Sequence, residues 1–463
     1  MGNVYSTRSA TTYCRADCPG PRRPGEVRQF QLAAAAEAAG LTACPRCRPY
    51  RWPESVPSGI PGLVSRALQA VLDGFLDRRT EVELGRRLGI SSRHLGRLFR
   101  AHLGLTPDQL ARSQRAHFAR RLLDDTDLSV ADVATAAGFG SVRQCNRACL
   151  DFFHLTPSEL RARRHRGDQL AADPGLSLRL CYDGGMDWES MLLHLRSRGV
   201  PGVEWVAGDL YRRTALVNGD PGVLEFQQVA PDTIQVRAYL SQWNGLASVV
   251  QRARHVFNLS CDPSAAESHL LADARLAPLV RTHPGLRPPG AWDPFEVGVG
   301  AILSYGTSNP QRRNLMGRLT ISHGTAVPGA SAMGLTHTFP GPEALAGADL
   351  EADGLSPQQA ATVSRFAGSV ATHQLHLDAV SPLDAFEKQF DAVPGIQAGV
   401  PQYLALRLGY GDAFPCQDPG LRRAWLRLSS QSNTPGASVP GNYWHPYGAL
   451  AAMHLWTTFS GKS

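Results

Sequence analysis

Lysine is almost absent from this chain of 463 residues, and long apolar runs are missing altogether. Lys388 and Lys462 are its only lysines, so nearly all of its positive charge comes from arginine. Catalysis through a Schiff base uses an amine, so a site without a nearby lysine does not favour that chemistry. No run of about 18 apolar residues is present and no charged-then-apolar leader opens the chain, which argues against a transmembrane helix and against secretion. We therefore expect a cytoplasmic protein with no membrane partner.

Cysteine is also used sparingly, and its distribution is uneven. Four of the nine cysteines fall within the first 47 residues, as a Cys-x3-Cys pair followed by a Cys-x2-Cys pair: Cys14, Cys18, Cys44 and Cys47. In a reducing cytoplasm, four closely spaced thiols are more typical of a tetrahedral zinc site than of two disulfides. Because a segment of about fifty residues buries little core, the predicted Zn²⁺ would also hold it folded. The other five are predicted to be small buried hydrophobic residues: Cys145, Cys149, Cys181, Cys261 and Cys416.

Positive charge is concentrated at the front of the chain. Residues 1–170 hold 26 Lys and Arg against 16 Asp and Glu, whereas residues 171–463 hold 21 against 24. Such an asymmetry favours a polyanionic partner, most simply nucleic acid, although a solvated arginine-rich surface gives the same pattern. The length suggests about three folding units at roughly 100–200 residues each.

The stretches "TTYCRADCPGPRRP" and "AAAAEAAGLTACPRCRPY" resemble the N-terminal domain of the adaptive-response (Ada) regulators. That resemblance implies a module over residues 1–55 that moves a methyl group from a DNA methyl phosphotriester onto a zinc-bound cysteine, here Cys14. A metal-bound thiolate is a good nucleophile, and the loss of one negative charge on methylation would strengthen binding to DNA. Only thirteen residues precede Cys14, fewer than in the family, so we expect either a trimmed module or a misassigned start codon. The simpler alternative is a zinc knuckle that only folds this segment.

Residues 60–166 carry a helical pattern that occurs twice. In the first copy, apolar residues at helical spacing flank Gly89, which is predicted to form the tight turn between two short helices. The second of these helices opens at Ser92 and would present Arg93 and Arg97 on its outer face. A plain helical bundle is the alternative.

The second copy, "LSVADVATAAGFGSVRQCNRACLDFFHLTPSEL", has Gly138 at its turn and ends in "HLTPSEL" where the first copy ends in "GLTPDQL". A duplicated helix-turn-helix of this kind resembles the DNA-binding domain of the AraC/XylS transcription factors. The side chains implied to face the major groove of a promoter operator are Arg93, Arg97, Arg143 and Asn146. The resemblance also implies RNA polymerase as a partner of the bound regulator.

A linker of small and polar residues, "RGDQLAADPG", precedes the remainder of the chain. Stretches such as "LYRRTALV" and "TIQVRAYL" predict a small antiparallel sheet beside a helix within residues 176–285, and the pattern over residues 286–463 is helical. The stretches "DWESMLLHLRSRGVPGVE", "PGAWDPFEVGVGAILS" and "GDAFPCQDPGLRRAW" resemble the 3-methyladenine DNA glycosylase II (AlkA) family. That resemblance implies a helix-hairpin-helix that grips DNA phosphates, an aromatic pocket for a flipped base, and one catalytic aspartate.

By its place in "DAFPCQDPGLRR", the catalytic carboxylate would be Asp418. A fixed negative charge stabilises the oxocarbenium-like sugar that forms as an alkylated base departs. The alternative role for Asp418 is an N-cap, because Asp before Pro is typical of a helix start, and the two roles are compatible. No lysine lies in the hairpin over residues 392–403, so a monofunctional enzyme is expected, which hydrolyses the N-glycosidic bond without cutting the strand.

The hairpin departs from the family pattern. It reads "VPGIQAGVPQY", so Gly395 is kept, Gln397 replaces the second glycine, and Gly399 stands where the family has a pocket tryptophan. Gln397 is expected to weaken the grip on phosphate, because glycine lets the backbone approach most closely. The wedge that enters the duplex beside the flipped base would be Tyr305, in "AILSYGTSN". The side chains expected to line the base pocket, unless they are ordinary core aromatics, are Tyr403, Trp444 and Tyr447.

Together these patterns predict a mainly α multidomain protein with a small zinc-bound N-terminal module, two helix-turn-helix units, and a small antiparallel β-sheet joined to a helix-hairpin-helix glycosylase domain. The resemblances imply an alkylation-response transcription regulator and a DNA-3-methyladenine glycosylase, with double-stranded DNA as the shared partner. The alternative is a regulator whose glycosylase-like region is inactive and serves DNA binding or structure. An O6-methylguanine methyltransferase is disfavoured, because the Pro-Cys-His-Arg acceptor motif is absent and Cys416 lies in "FPCQDP".

Overall fold

The computed structural model describes residues 4–7, 11–18, 27–54, 56–57, 59–165, 175–431 and 444–460. The chain divides into two compact units. The first comprises Met1–Asp183, Thr233–Arg254 and Leu259–Cys261, and the second comprises Gly184–Asp232, His255–Asn258 and Asp262–Ser463. Residues 166–174, nearly all of the predicted linker, lie outside the described residues. No helix within the described ranges is long and apolar enough to cross a membrane.

The N-terminal segment of the first unit is a small sheet with one short helix. Its elements are β1 (Val4–Thr7), β2 (Thr12–Arg15), β3 (Val27–Phe30), α1 (Ala33–Ala38), β4 (Thr42–Ala43) and a 3₁₀ turn (Pro49–Arg51). The strands are ordered β3-β1-β2-β4, with β1 antiparallel to both of its neighbours and β4 parallel to β2. The core buried here is small, as expected for so short a segment: Val4, Tyr13, Ala33, Ala36 and Leu41.

A run of helices follows in the first unit: α2 (Gly62–Leu72), α3 (Phe75–Arg78), α4 (Glu81–Arg87), α5 (Ser92–Leu103), α6 (Pro107–Asp125), α7 (Val130–Ala136), α8 (Val142–Phe153) and α9 (Pro157–Ala162). Gly89 and Gly138 have φ values of 71° and 80°, the left-handed region that favours glycine, so the predicted turns are confirmed. The sequence repeat has a structural counterpart, because Thr106 and Thr156 each form a capping box that opens α6 and α9.

The middle of the chain alternates strands and helices. The elements are β5 (Leu176–Cys181), α10 (Trp188–Arg198), β6 (Glu204–Ala207), β7 (Leu210–Val217), β8 (Asp220–Ala230), β9 (Thr233–Tyr239) and α11 (Leu246–Val256). In the first unit β5 pairs antiparallel with β9, with Leu176 opposite Ala238. In the second unit β7 pairs antiparallel with β6 and β8. The predicted antiparallel pairing is therefore confirmed.

The rest of the second unit is helical. Its elements are α12 (Ser264–Leu270), α13 (Ala277–Thr282), α14 (Pro294–Leu303), α15 (Asn309–His323), a 3₁₀ turn (Ala330–Met333), α16 (Pro342–Ala346), α17 (Pro357–Ala371), α18 (Leu383–Lys388), a 3₁₀ turn (Gln389–Ala392), α19 (Gly399–Arg407), α20 (Pro419–Gln431) and α21 (Gly448–Ser460). Phe295 and Phe366 stack with ring centroids 5.4 Å apart within a large apolar core. A Cβ on Gly298 would lie 2.5 Å from the Phe366 ring, so this glycine permits α14 and α17 to pack closely.

The four sequence modules do not each form a compact unit. Modules 1–55 and 60–166 both fall in the first unit. Module 176–285 is divided, because β5 and β9 belong to the first unit whereas β6, β7 and β8 belong to the second. Module 286–463 falls wholly in the second unit. The module boundaries stay predictions about the sequence.

Candidate metal centre and nucleic-acid interfaces

The four N-terminal cysteines come together beside the parallel pair of strands. Cys14 lies on β2 and Cys18 follows in the next turn, while Cys44 and Cys47 follow β4. Because β2 and β4 run side by side, the two cysteine pairs become neighbours. Their sulfur atoms all lie within 4.8 Å of one another.

Crowding of these thiols changes their acidity. Burial and the neighbouring thiols raise the pKa of Cys14 far above its ordinary value. Burial raises the pKa of Cys47 to about 12, whereas for Cys44 the N–H donors of Cys47 and Arg46 outweigh burial and lower the pKa. Four sulfurs this close can all be thiolates only around a cation, and their spacing suits the roughly 2.3 Å metal–sulfur bonds of tetrahedral zinc. These cysteines therefore form a site for Zn²⁺.

A buried polar network connects this segment to α6. The hydroxyl of Tyr13, the residue before Cys14, donates to Glu37 Oε1 at 2.7 Å. From α6, Ser113 Oγ donates to Glu37 Oε2 at 2.6 Å, and His117 Nε2 lies 2.5 Å from Glu37 Oε1. One buried carboxylate thus joins the zinc module to the long helix between the two helix-turn-helix units. Nothing in the sequence indicated this role, since Glu37 stands in an alanine run.

A second cluster of contacts lies where the 3₁₀ turn after the last cysteine meets the end of α6. Tyr50 donates to Asp124 Oδ2 at 2.8 Å, and the Arg51 guanidinium donates to Asp125 Oδ1 at 2.7 Å. Arg120 also pairs with Asp124 at 2.9 Å. All four charged residues are at most 8% exposed. The module is therefore held to α6 by two buried polar contacts about ten residues apart on that helix.

The first candidate recognition helix, α5, is amphipathic in the predicted sense. Leu95 and Phe99 are fully buried, whereas Arg93 and Arg97 are exposed. Arg97 Nη2 lies 2.8 Å from Nδ1 of His94, one turn earlier, which fixes the direction of its guanidinium. Two exposed arginines on the helix after a glycine turn suit contact with the major groove.

The second candidate recognition helix, α8, is built in the same way. Ser141 caps it by accepting from Gln144 N at 3.2 Å. Arg143 is exposed and Asn146 is half-buried, while Cys145 points into the core, as predicted for a small apolar residue. The bases that these side chains contact stay a prediction.

The second unit contains a cleft of about 1120 Å³. It is formed by α10, α21 and the N-terminal ends of α15, α19 and α20. Its polar and aromatic lining includes Asp187, Ser190, His194, Arg198, His283, Tyr305, Asn309, Arg312, Tyr403, Asp418, Arg423 and Trp456. The cleft therefore brings Asp418, Tyr305 and Tyr403 of the predicted set together.

Asp418 lies at the N-terminal end of α20. Its Oδ1 accepts from the backbone N–H of Leu421 at 2.9 Å and from the indole N–H of Trp456 at 3.1 Å. Within the described residues, Oδ2 has no hydrogen-bond or ion-pair partner. The side chain thus caps the helix and leaves one carboxylate oxygen available to the cleft, so both roles weighed from the sequence are compatible with its position.

Two aromatic rings form one wall of the cleft. Tyr403 and Trp456 meet edge to face, with ring centroids 6.1 Å apart. The Arg198 guanidinium lies 5.2 Å from the first centroid and 5.9 Å from the second. Arg407 donates to the Tyr403 hydroxyl at 2.9 Å, and the surrounding arginines lower the pKa of that phenol although burial acts to raise it. Sequence reasoning missed Trp456; its only signal was an aromatic residue on the last, mainly apolar helix.

Trp444 and Tyr447, expected in the base pocket, do not line this cleft. Trp444 is 2% exposed, packs against Trp425 and donates its indole N–H to Asp273 at 3.0 Å. Tyr447 contacts His269, with ring centroids 5.2 Å apart. Both pack outside this cleft, as the alternative of ordinary core aromatics predicts, and a role for them in base binding stays a prediction. The local sequence around Trp444, which precedes "HPY", does not indicate the direction of its ring.

The hairpin before α19 has the geometry that its glycine suggests. Gly395 has φ of 96°, and a Cβ there would lie 2.5 Å from Thr362 Oγ1, so no other residue fits without strain. Gln397 needs no left-handed backbone, but its side-chain oxygen is buried without a hydrogen-bond partner among the described residues. Gly399 begins α19, with no room for a side chain. The predicted weakening at Gln397 stays a prediction.

Family models match three successive parts of the chain. The metal binding domain of Ada matches residues 3–50, a helix-turn-helix domain matches residues 84–163, and the AlkA N-terminal domain matches residues 177–293. These matches confirm the three resemblances and their order.

Similar proteins span nearly the whole chain or its second part. A Mycobacterium tuberculosis protein named "Probable bifunctional transcriptional activator/DNA repair enzyme AlkA" is 35% identical over 98% of this chain and 92% of its own length. The Escherichia coli DNA-3-methyladenine glycosylase 2 is 27% identical over 59% of this chain and 94% of that protein. The structure of a 3-methyladenine DNA-glycosylase from Archaeoglobus fulgidus superposes with a TM-score of 0.52 and 18% identity, over 60% of this chain and 97% of the other. At that identity it shows a shared fold.

Proposed function

The chain belongs to the family of bifunctional transcriptional activators and DNA repair enzymes, and on that premise we propose that it joins an alkylation sensor and regulator to a DNA-3-methyladenine glycosylase. The regulator is assigned to the zinc module and the paired helix-turn-helix, and the glycosylase to the cleft of the second unit. Double-stranded DNA is the partner of both, as alkylated DNA and as a promoter operator. RNA polymerase is proposed as the further partner through which the bound regulator activates transcription.

The position of Asp418 carries the glycosylase proposal. Two N–H donors hold Oδ1, so the carboxylate has a fixed orientation and its other oxygen can face a sugar in the cleft. As the N-glycosidic bond breaks, the bonding electrons leave with the base and positive charge develops on the sugar. A preorganised carboxylate stabilises that charge, and water then attacks C1′. Tyr403 and Trp456 are proposed to stack on the flipped base.

Hydrolysis without strand cleavage fits the distribution of amines. Lys388 is the one lysine within the described residues, and it does not line the cleft. Among the residues that the structure describes, no lysine amine is therefore placed there to form a Schiff base with the sugar. The proposed reaction ends with a free base and an intact strand that carries an abasic site.

The test is release of free 3-methyladenine from methylated duplex DNA by the purified full-length protein. Asp418→Asn keeps the capping geometry but removes the charge, so release should fall by at least about a hundredfold, as when one electrostatic stabiliser is removed. Asp412→Asn is the matched control, because Asp412 lies on the same loop and outside the cleft. Release that is equal for the parent protein and for Asp418→Asn would refute the assignment.

One observation favours the alternative of an inactive glycosylase region. Gln397 places a buried side-chain oxygen, without a partner among the described residues, in the hairpin that should grip phosphate. Leaving such a group unsatisfied destabilises the segment, and a bulkier residue than glycine keeps the backbone further from the strand. If the parent protein binds methylated duplex but releases no base, the second unit serves DNA binding and not repair.

At the N-terminus we propose methyl transfer to Cys14. The sulfur attacks the methyl carbon of a DNA phosphotriester, an S–C bond forms, and the C–O bond breaks with its electron pair going to the phosphate oxygen. Bound zinc would keep the attacking thiol ionised at neutral pH. Cys18, Cys44 and Cys47 would hold the metal with it. The transfer leaves an ordinary phosphodiester and a neutral thioether.

Two measurements test this assignment. We expect about one zinc per chain, as four ligands of one tetrahedral site require, and its loss when Cys44 and Cys47 are both replaced by Ser. After incubation with methylated DNA, the peptide that contains Cys14 should gain the mass of one methyl group. A zinc-loaded protein whose modified peptide contains another cysteine would contradict the choice of Cys14 while leaving the metal site intact.

A further inference from the structure

The space beside Gly399 is taken by a residue from another part of the second unit. A Cβ on Gly399 would lie 2.0 Å from the hydroxyl oxygen of Tyr305 and 3.4 Å from its Cζ. Real Cβ atoms do not approach other atoms so closely, so any side chain at this position would displace the tyrosine. The Tyr305 ring therefore occupies the volume into which a side chain at the start of α19 would point.

Contacts at both ends hold Tyr305 in this place. It lies on the turn after α14, where its half-buried ring packs against the helical core. At its other end the hydroxyl lies directly against the backbone of Gly399. A side chain packed in this way can enter a DNA duplex only by giving up these contacts. Its position is that of a fixed part of the cleft wall.

Tyr305 also faces the group that is proposed to act on the sugar. Tyr305, Gly399 and Asp418 line the same cleft as the aromatic pair Tyr403 and Trp456. Burial, followed by the charge of Asp418, raises the pKa of the Tyr305 phenol, so the phenol keeps its proton at neutral pH. Within the described residues no acceptor takes this proton, so it remains available to an acceptor atom in the cleft.

We propose that Tyr305 is a wall of the base-binding pocket that selects the flipped base, and not the wedge that enters the duplex. This inference rests on the proposed glycosylase site, but it concerns binding and can be tested without catalysis. The ring supplies a stacking surface where Gly399 has none. The hydroxyl offers a hydrogen bond to a nitrogen or oxygen acceptor on the edge of a purine, which a cleft lined by aromatic rings alone would lack.

The two roles differ in the DNA that they recognise. A pocket wall contacts the flipped base, so its loss weakens binding only when a base is present. A wedge fills the gap in the stack that any extruded nucleotide leaves, so its loss weakens binding whether or not a base is attached. Two duplexes separate the roles, one with a cleavage-resistant 2′-fluoro alkylpurine nucleotide and one with a tetrahydrofuran abasic analogue at the same position.

The experiment measures dissociation constants of the full-length, zinc-loaded protein for both duplexes. Tyr305→Ala should weaken binding to the alkylpurine duplex by roughly 5- to 150-fold, the range for removing one base–aromatic stacking interaction, with the abasic duplex unchanged. Tyr305→Phe should keep most of the affinity, because only the hydroxyl is lost. Tyr447→Ala is the matched control, a half-buried tyrosine of the same unit outside the cleft, and should leave the ratio of the two constants unchanged.

A compensating double variant distinguishes loss of the pocket wall from a general structural effect. Gly399→Trp alone collides with Tyr305 and should weaken binding to the alkylpurine duplex. Combined with Tyr305→Ala, the indole has room to refill the wall, and a large part of the selectivity should return. Unchanged abasic binding in each variant shows that the unit is still folded.

Two outcomes would overturn the inference. An equal loss on both duplexes for Tyr305→Ala would identify a wedge, and a parent protein that does not prefer the alkylpurine duplex would have no such pocket. A parent that binds the alkylpurine duplex selectively but releases no base from methylated DNA would refute the glycosylase proposal while the binding result still supports Tyr305 as the wall.

Discussion

The two compact units hold their functional side chains by different means. In the first unit, the zinc module is attached to α6 through buried polar and charged groups, among them Glu37, Arg51 and Asp125. In the second unit, the helices that carry the cleft pack on one apolar core, which includes the stacked rings of Phe295 and Phe366. Both arrangements fix geometry, but they respond differently to a small chemical change.

That difference bears on what each unit does. Truncating an apolar side chain weakens a core in proportion to the apolar volume removed, whereas deleting one member of a buried ion pair leaves a charge without compensation. A sensor must pass on a change as small as one methyl group, and buried polar contacts near the metal site respond sharply to such changes. A glycosylase must hold a carboxylate in place through each turnover, which a packed core does well.

The largest expected effect is at the Arg51–Asp125 pair. Arg51→Met keeps the length of the side chain but leaves Asp125 buried without its 2.7 Å partner. The free energy needed to separate the zinc module from α6 should fall by about 3–5 kcal/mol, the range for breaking a buried ion pair. Native-state hydrogen exchange of α6 peptides measures it in the full chain.

Arg112→Ala is the matched control on the same helix. Its pair with Asp151 is 2.9 Å long but exposed, with side-chain accessibilities of 40% and 47%. An exposed pair contributes about 0–1 kcal/mol, so α6 exchange should hardly change. Similar losses in the two variants would show that burial is not what distinguishes the contacts of the first unit.

A smaller effect is expected in the core of the second unit, at His454. This residue on α21 is fully buried, and within the described residues neither ring nitrogen has a hydrogen-bond partner. Burial, followed by the charge of nearby His283, lowers its pKa from 6.5 to about 4, although Asp187 acts in the opposite direction. The unfolded chain therefore binds a proton at a pH where the folded chain does not. Stability is full above pH 6.5 and is lost as the pH falls toward 4.

Urea unfolding at two pH values tests this. From the shift, the contribution of His454 should make the protein about 2 kcal/mol less stable near pH 5 than near pH 7.5. His454→Leu should remove that part of the pH dependence. It also removes a buried polar ring that has no partner among the described residues, which should raise the stability of the variant at either pH. An unchanged slope in His454→Leu would place the pH sensitivity elsewhere in the unit.

The sequence predicted most strongly what depends on local spacing. Apolar periodicity indicated both helix-turn-helix pairs, and the glycines at 89 and 138 have the left-handed backbone that their position required. Cysteine spacing indicated the metal site. The "QDPG" stretch indicated Asp418 as a cap, since a helix start is a property of a few neighbouring residues.

What depends on tertiary contact was missed or misplaced. Glu37 and Trp456 act through residues 76 and 38 positions away, at Ser113 and Asp418. Trp444 was expected to line the base pocket, but its indole N–H donates to the half-buried Asp273 and the side chain does not line the cleft. Sequence periodicity does not show which of two nearby tryptophans faces a cleft. The direction of each side chain depends on the tertiary partner to which its indole N–H donates.

The last expected effect concerns DNA binding and not stability, and it separates the DNA contacts of the two units. Arg97→Ala should weaken binding to an operator selected from random duplexes by about 1–3 kcal/mol, the range for one specific base contact. Arg163→Ala, an exposed arginine after α9 and off both recognition helices, is the control for lost positive charge. Base release from methylated non-operator DNA should be unchanged in both variants, because the cleft lies in the second unit. A parallel loss of excision in Arg97→Ala would mean that the first unit delivers DNA to the cleft, and the two units would then act on one duplex together.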